Sequence, residues 1–263
     1  MTTETKDYKF DVTSPAKIII KNIRGKVNVK KGADGEIKVQ VIKYLDTGNS
    51  EDTLFEVTQE SDGSVLAAVD FENLKILNIK KPCRIDFIVE TPQTCQVKVK
   101  SVSGEVQLEG VDGNHNLKTV SGGLEFSKVR AEDITAKTVS GSILGNEINS
   151  SVADIGTVSG SIKLSNMNIS RLDVSSVSGS MSYDGILGDG RHDFGSVSGN
   201  IKLIIPEDTN LDLKASSISG KLKSDLNIKY TSLSKRSWIG KLNNGGSPIK
   251  LKTVSGNMRI EAN

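Results

Sequence analysis

Three aspartates recur at the spacing of a repeat. Asp154, Asp173 and Asp193 each stand six residues before the glycine of a Ser/Thr-Val-Ser-Gly tetrapeptide, at Gly160, Gly179 and Gly199. If successive repeats stack as β-rungs, their carboxylates lie roughly 5 Å apart on one outward face. Carboxylates that close raise the pKa of at least one member or hold a cation. Some solenoid glycosidases and lyases carry acidic groups on such a face. Arg171 and Arg191 lie two positions earlier on the same outward parity, and paired with them the column is an ordinary charge ladder. Asp154, Asp173, Asp193, Arg171 and Arg191 are therefore the candidate binding set, with the charge ladder as the leading reading.

No other constellation converges on a reaction. His115 and His192 occupy the same repeat position four rungs apart, too distant to act together, and read as packing residues. No Cys/His ligand spacing is present, so neither a metal nor a cofactor is expected. Cys83 and Cys95 flank the apolar segment Ile85 to Val89. A disulfide between them is open on paper, although two cysteines in a chain without an export signal are more often plain thiols. The many serines belong to the repeat, and no Gly-x-Ser-x-Gly elbow accompanies them. Lys98, Lys100, Lys118 and Lys137, and further along Lys163, Lys202 and Lys223, form outward columns. These suit acidic glycans, lipid head groups or nucleic acid, or simply solvate the face. Lys plus Arg is 34 against 32 for Asp plus Glu, so the basic excess of a nucleic-acid binder is absent and no such partner is expected.

The elements that must position these residues come from the repeat. Ser/Thr-Val/Ile-Ser-Gly occurs eight times, ending at Gly104, Gly122, Gly141, Gly160, Gly179, Gly199, Gly220 and Gly256. The first seven are 18 to 21 residues apart, and the last interval of 36 contains a degenerate copy, Ser237-Trp238-Ile239-Gly240. Apolar columns stand at −7, −5, −2, +2, +4 and +7 from the glycine. Side chains of a strand alternate faces, so these columns, with the glycine, are expected to point inward. The two steps of three mark corners, and the Ser/Thr at −3 is expected to bond local backbone there. Trp238, at −2 of the degenerate copy, is expected to plug the end of the core. One such rung cannot bury its apolar face alone, but a stack can. The fold class expected is all-β, a single-stranded, β-helix-like β-solenoid of stacked rungs of about 19 residues.

The same template fits around Gly25, with Ile18, Ile20, Ile23, Val27 and Val29 at the inward positions. Leu54 to Val57 and Val65 to Phe71, around Ser61-Asp62-Gly63-Ser64, read as a hairpin. The expected organisation is an N-terminal β region, 1–90, that is open to continuity with a regular repeat domain, 91–263. Met1 to Asp11 is polar and no apolar run reaches the length of a membrane span, so the expectation is a soluble, cytoplasmic protein.

Rungs of the type Thr157-Val158-Ser159-Gly160-Ser161-Ile162-Lys163-Leu164 resemble a bacterial family of adhesin-like proteins of unknown function, the Toastrack domain. So do the lead-ins Phe87-Ile88-Val89-Glu90-Thr91-Pro92, running to Val97 through Gly104, and Leu203-Ile204-Ile205-Pro206, running to Ile218-Ser219-Gly220. The resemblance covers the chain from about Phe10 onward. It implies a solenoid-like β domain with no assigned catalytic residue, and a link to cell-envelope stress or surface adhesion. The function expected is a non-enzymatic binding or scaffold protein with a protein or glycan partner. Two alternatives stand beside it: a carbohydrate-active enzyme using the Asp column, and a filament formed by end-to-end self-association of uncapped stacks.

Overall fold

The computed structural model describes residues 2–70 and 81–263. It divides into two compact units, Met1–Arg130 and Ala131–Asn263. The first unit contains β1 (Thr3–Asp11), β2 (Ala16–Arg24), β3 (Val27–Lys31), β4 (Glu36–Tyr44), β5 (Phe55–Gln59), β6 (Val65–Val69), β7 (Arg84–Thr91), β8 (Cys95–Ser103), β9 (Val106–Glu109) and β10 (His115–Ser121). β11 (Leu124–Ser140) runs from its end into the second unit. There follow β12 (Ile143–Ser159), β13 (Ile162–Ser178), β14 (Met181–Leu187), β15 (His192–Ser198), β16 (Ile201–Ile205), β17 (Leu211–Ser217), β18 (Leu222–Ser224), β19 (Ile228–Leu233), β20 (Ser237–Leu242), β21 (Ser247–Thr253) and β22 (Met258–Ala262). The only helical element among the described residues is a 3-10 turn at Leu45–Thr47. The fold is all-β and solenoid-like, as the repeat predicts.

Period-2 patterning makes each rung. In β8, Cys95, Val97, Val99 and Ser101 are buried while Gln96, Lys98 and Lys100 are exposed. β2, β8 and β10 stack in parallel and in register, as do β3, β9 and the start of β11. In the second unit β12 pairs with β13 along its full length. Lys128, Glu147 and Asn166, each six residues after a repeat glycine, have φ of 54–56°. This left-handed residue puts the corner into a strand that otherwise continues through it.

The stacking order differs from the chain order. β21 pairs with β15 on one side and β17 on the other, so the last rung in sequence sits between its two predecessors. The segment expected to be a degenerate rung is instead β20, antiparallel to both β17 and β19. Trp238 is buried there, opposite Ala215. This hairpin finishes the second unit's stack. In the first unit β6 lies beside β2 and carries β5 antiparallel, which gives the hairpin read from sequence. Phe71, the last residue assigned to that hairpin, lies outside the described residues. β7 lies beside β3 and carries β4 and then β1, both antiparallel.

The inward set also needs correction at one corner. The −2 column is exposed, with Val120, Val139, Val158, Val177 and Val197 each 46–48% accessible, and Ile23 at −2 of Gly25 is half-buried. The −3 column is inside, where Thr119, Thr157, Ser176, Ser196, Ser217 and Thr253 are buried. Alternation continues from −7 and −5 to −3, and the chain turns at the glycine rather than before it. Ile186 at +7 is exposed as well, because a register shift sets Gly185 against Met167 and Ile186 against Asn168.

Part of the −3 column uses its hydroxyl, while Ser101, Thr119, Ser176 and Ser196 bury theirs without a hydrogen-bond partner among the described residues. Thr157 Oγ1 donates to Gly141 O at 3.1 Å, Thr253 Oγ1 to Gly199 O at 3.3 Å and Ser217 Oγ to Gly256 O at 3.3 Å. In the first rung Asn22 replaces the hydroxyl and donates to Gly25 O and Ile85 O. The three hydroxyl bonds each tie one rung's corner to the glycine carbonyl of a neighbouring rung. Cys83 and Cys95 are both buried free thiols, and burial pushes Cys95 up to about 12.

Candidate functional site

The in-register pairing of β12, β13 and β15 builds a patterned outer face on the second unit. Asp154, Asp173 and Asp193 are paired in register on these three strands. Two residues along each strand, Gly156, Ser175 and Gly195 form a second row. Two further on stand the exposed Val158, Val177 and Val197. At about 3.3 Å per residue the Asp and Val rows are about 13 Å apart. Between them no side chain exceeds a hydroxymethyl group.

The two outer carboxylates have cations. Lys137 Nζ lies 2.5 Å from Asp154 Oδ2, and Arg191 grips Asp193 through Nε at 2.5 Å and Nη2 at 3.1 Å. Asp173, between them, has no cation within 4 Å among the described residues. Partial desolvation, then the charges of Asp154 and Asp193, hold its carboxyl above the usual carboxylate range. Arg171 makes no ion pair with it and acts only at longer range. Of the five residues singled out from sequence, the structure thus aligns the three aspartates, joins Arg191 to one of them and leaves Arg171 apart. Among the described residues no cluster of His, Cys, Asp and Glu suits a metal ion.

Replacing Asp173 by asparagine is expected to stabilise the protein at neutral pH, by at most about 1 kcal/mol after solvent screening. A raised folded pKa means that ionising the group opposes folding. The advantage of Asp173→Asn should therefore vanish as pH falls below the carboxylate range and the parent residue takes up its proton. Thermal melts of both proteins at several pH values check this.

The histidines are removed from chemistry by burial. His115 and His192 are 2% and 0% accessible, and each Nε2 lies 2.9 Å from the carbonyl four residues earlier, of Val111 and Gly188. Desolvation lowers both, His115 to about 4. Lys98, Lys100 and Lys118 are exposed on the first unit. Sequence reasoning passed over Gly156, Ser175 and Gly195. The signal was there, since at the same −4 position the earlier rungs carry Lys100, Lys118 and Lys137.

No protein of curated function matches this chain. Among solved structures, a candidate adhesin from Bacteroides fragilis superposes with a TM-score of 0.54 at 16% identity, over 100% of this chain and 97% of that one. A candidate lipid-binding protein from Parabacteroides distasonis gives 0.45 at 12% identity, over 98% and 96%. At 16% identity the likeness to the first of these speaks to the fold alone. Residues 15–261, nearly the whole chain, match one family along the stacked rungs described above, and the protein belongs to that family, Toastrack DUF4097.

Proposed function

We propose that the protein acts by binding, and that the second unit lays an extended, hydroxyl-rich chain, a glycan, across its rungs. Gly195 carries this reading. Its backbone is outside the left-handed region, and a methyl group added there would meet nothing within 4 Å. Neither conformation nor packing requires glycine, which is unfavourable in a strand interior. What the absent side chain does is keep the trough open between the carboxylate and valine rows. Sugar hydroxyls donate well to carboxylates, and the uncommitted Asp173 has acceptor lone pairs to offer. The valines supply apolar area for C–H faces, and an exposed apolar row of this kind marks an interaction surface. Filament formation is disfavoured, because antiparallel pairs at β5–β6 and β19–β20 interrupt the parallel template.

Affinity electrophoresis against neutral polysaccharides tests the reading, with Gly195→Val and the triple variant D154N/D173N/D193N beside the parent. Gly195→Val should keep or raise the melting temperature, since it fills open space on a strand, while weakening retention at least tenfold. The triple variant should also lose retention. Unchanged retention in both variants overturns the proposal. Appearance of new reducing ends with the parent, absent with the triple variant, would instead make the Asp row a hydrolytic site.

A further inference from the structure

We infer that the first unit carries a separate binding groove for a single-chain anionic amphiphile, a long-chain fatty acid carboxylate. The outer face of β2, β8 and β10 meets the β5–β6 hairpin in a cavity of about 860 Å³, within the range of small-molecule sites. Part of its lining is an apolar strip, with Leu54 and Phe55 on the hairpin side and Val102 and Val120 on the rungs. Leu54, Val102 and Val120 are 40–50% accessible, an arrangement that costs free energy unless something covers them.

Beside this apolar strip runs a row of lysines. Lys21 is in register with Lys100, and Lys100 with Lys118, so three ammonium groups are carried on strands about 4.8 Å apart. Like charges so stacked repel unless neutralised. Several other lysines of the unit are neutralised, as in Lys26 with Glu105, Lys30 with Glu90 and Lys128 with Glu109. Lys21, Lys100 and Lys118 have no carboxylate within 4 Å among the described residues. Glu56 and Asp70 also line the cavity, on the hairpin side; Glu56 is in register with Ala68, which separates it from Lys21 by a strand. The cationic row therefore extends away from Glu56, beside the valines. An anionic head on the lysines and a hydrocarbon chain along Val102, Val120, Leu54 and Phe55 satisfies both halves of the groove. Lys21 was the member that sequence reading omitted, although it stands four residues before Gly25 as Lys100 and Lys118 do before their glycines.

Titration calorimetry of the full chain with monomeric saturated fatty acids of increasing length tests this site. Matched alcohols, alkyltrimethylammonium ions and inorganic phosphate serve as comparison ligands. Saturable one-to-one binding is expected, tightening with chain length and weakening with salt, with the alcohol at least tenfold weaker and the ammonium silent. K21Q/K100Q/K118Q should lose at least tenfold for the carboxylate while leaving the alcohol unchanged. V102S/V120S should flatten the dependence on chain length. All five positions are exposed, and melts of both variants check that the fold is kept. Equal affinity for the alcohol, competition by phosphate at matching concentration, or parent-like binding by the lysine variant would each overturn the inference. So would binding to anionic phosphatidylglycerol vesicles without binding to the monomeric acid, which would indicate a membrane surface. None of these outcomes bears on the glycan trough, which is built by the second unit.

Discussion

Gly104→Ala is expected to destabilise the first unit by roughly 3–5 kcal/mol, from backbone strain and overpacking together. Gly104 has φ of +140°, where side chains with a Cβ are rarely found. A methyl group there would also overlap the backbone carbonyl of Gly25, on the rung below. The obstacle is main chain rather than a flexible side-chain tip, so it cannot move aside without breaking the ladder. Gly122 stacks on Gly104 in the same manner, and Gly160 on Gly141 in the second unit. The repeat glycine is therefore a close backbone approach propagated from rung to rung. A fall of on the order of 10 °C in the melting midpoint follows. Gly195→Ala is the internal control. It sits in open space with an extended backbone, and should gain about 0.4–1 kcal/mol by restricting the unfolded chain. Equal effects from the two substitutions, read by thermal or urea unfolding, would refute the glycine-ladder account.

The contrast between these glycines shows how far the sequence could be read. Spacing alone identified the rung, because eight glycines in similar local contexts are a repeat whatever their role. It could not say which way the flanking columns face. A run of valine at −2 looks like core by composition, and small Ser/Thr at −3 looks like surface. Yet parity from −7 and −5 leads to −3, and only the turn at the glycine settles the conflict in favour of parity. Rung order was equally hidden, since β21 inserts between β15 and β17. Nothing local distinguishes an inserted rung from a terminal one, because all rungs present the same edges. The Asp row was legible because register is fixed by the repeat. Its ion pairs were less so: Lys137 is on the preceding rung, and Arg191 but not Arg171 reaches its aspartate. The trough floor was missed because small residues carry no chemistry of their own.

Acid should unfold the protein earlier than its carboxylates alone would dictate, and the buried histidines are the cause. His115 sits at the inward −7 position in register with Val97, and His192 in register with Leu172 and Ile249. With Nε2–H donated to a carbonyl, Nδ1 is left buried without a partner in each ring. Protonation would place a cation in that apolar interior, so the folded pKa falls, for His115 from 6.5 to about 4. The unfolded chain then binds protons that the folded one refuses, and stability is lost as pH drops from about 6.5 toward 4. At about 1.4 kcal/mol per tenfold change in proton affinity, His115 alone accounts for roughly 3 kcal/mol by pH 4. The paired carboxylates act in a lower window. Glu36, Glu109 and Glu261 are held below 4.5 by lysine partners, and their contribution disappears only as pH falls from that value. Between pH 6.5 and 5 the slope belongs to the histidines. His115→Leu should flatten it for the first unit, and His192→Leu for the second. Hydrogen exchange resolved by unit, or melts across this pH range, would measure both. A slope unchanged in the double variant would mean that the acid sensitivity comes from elsewhere.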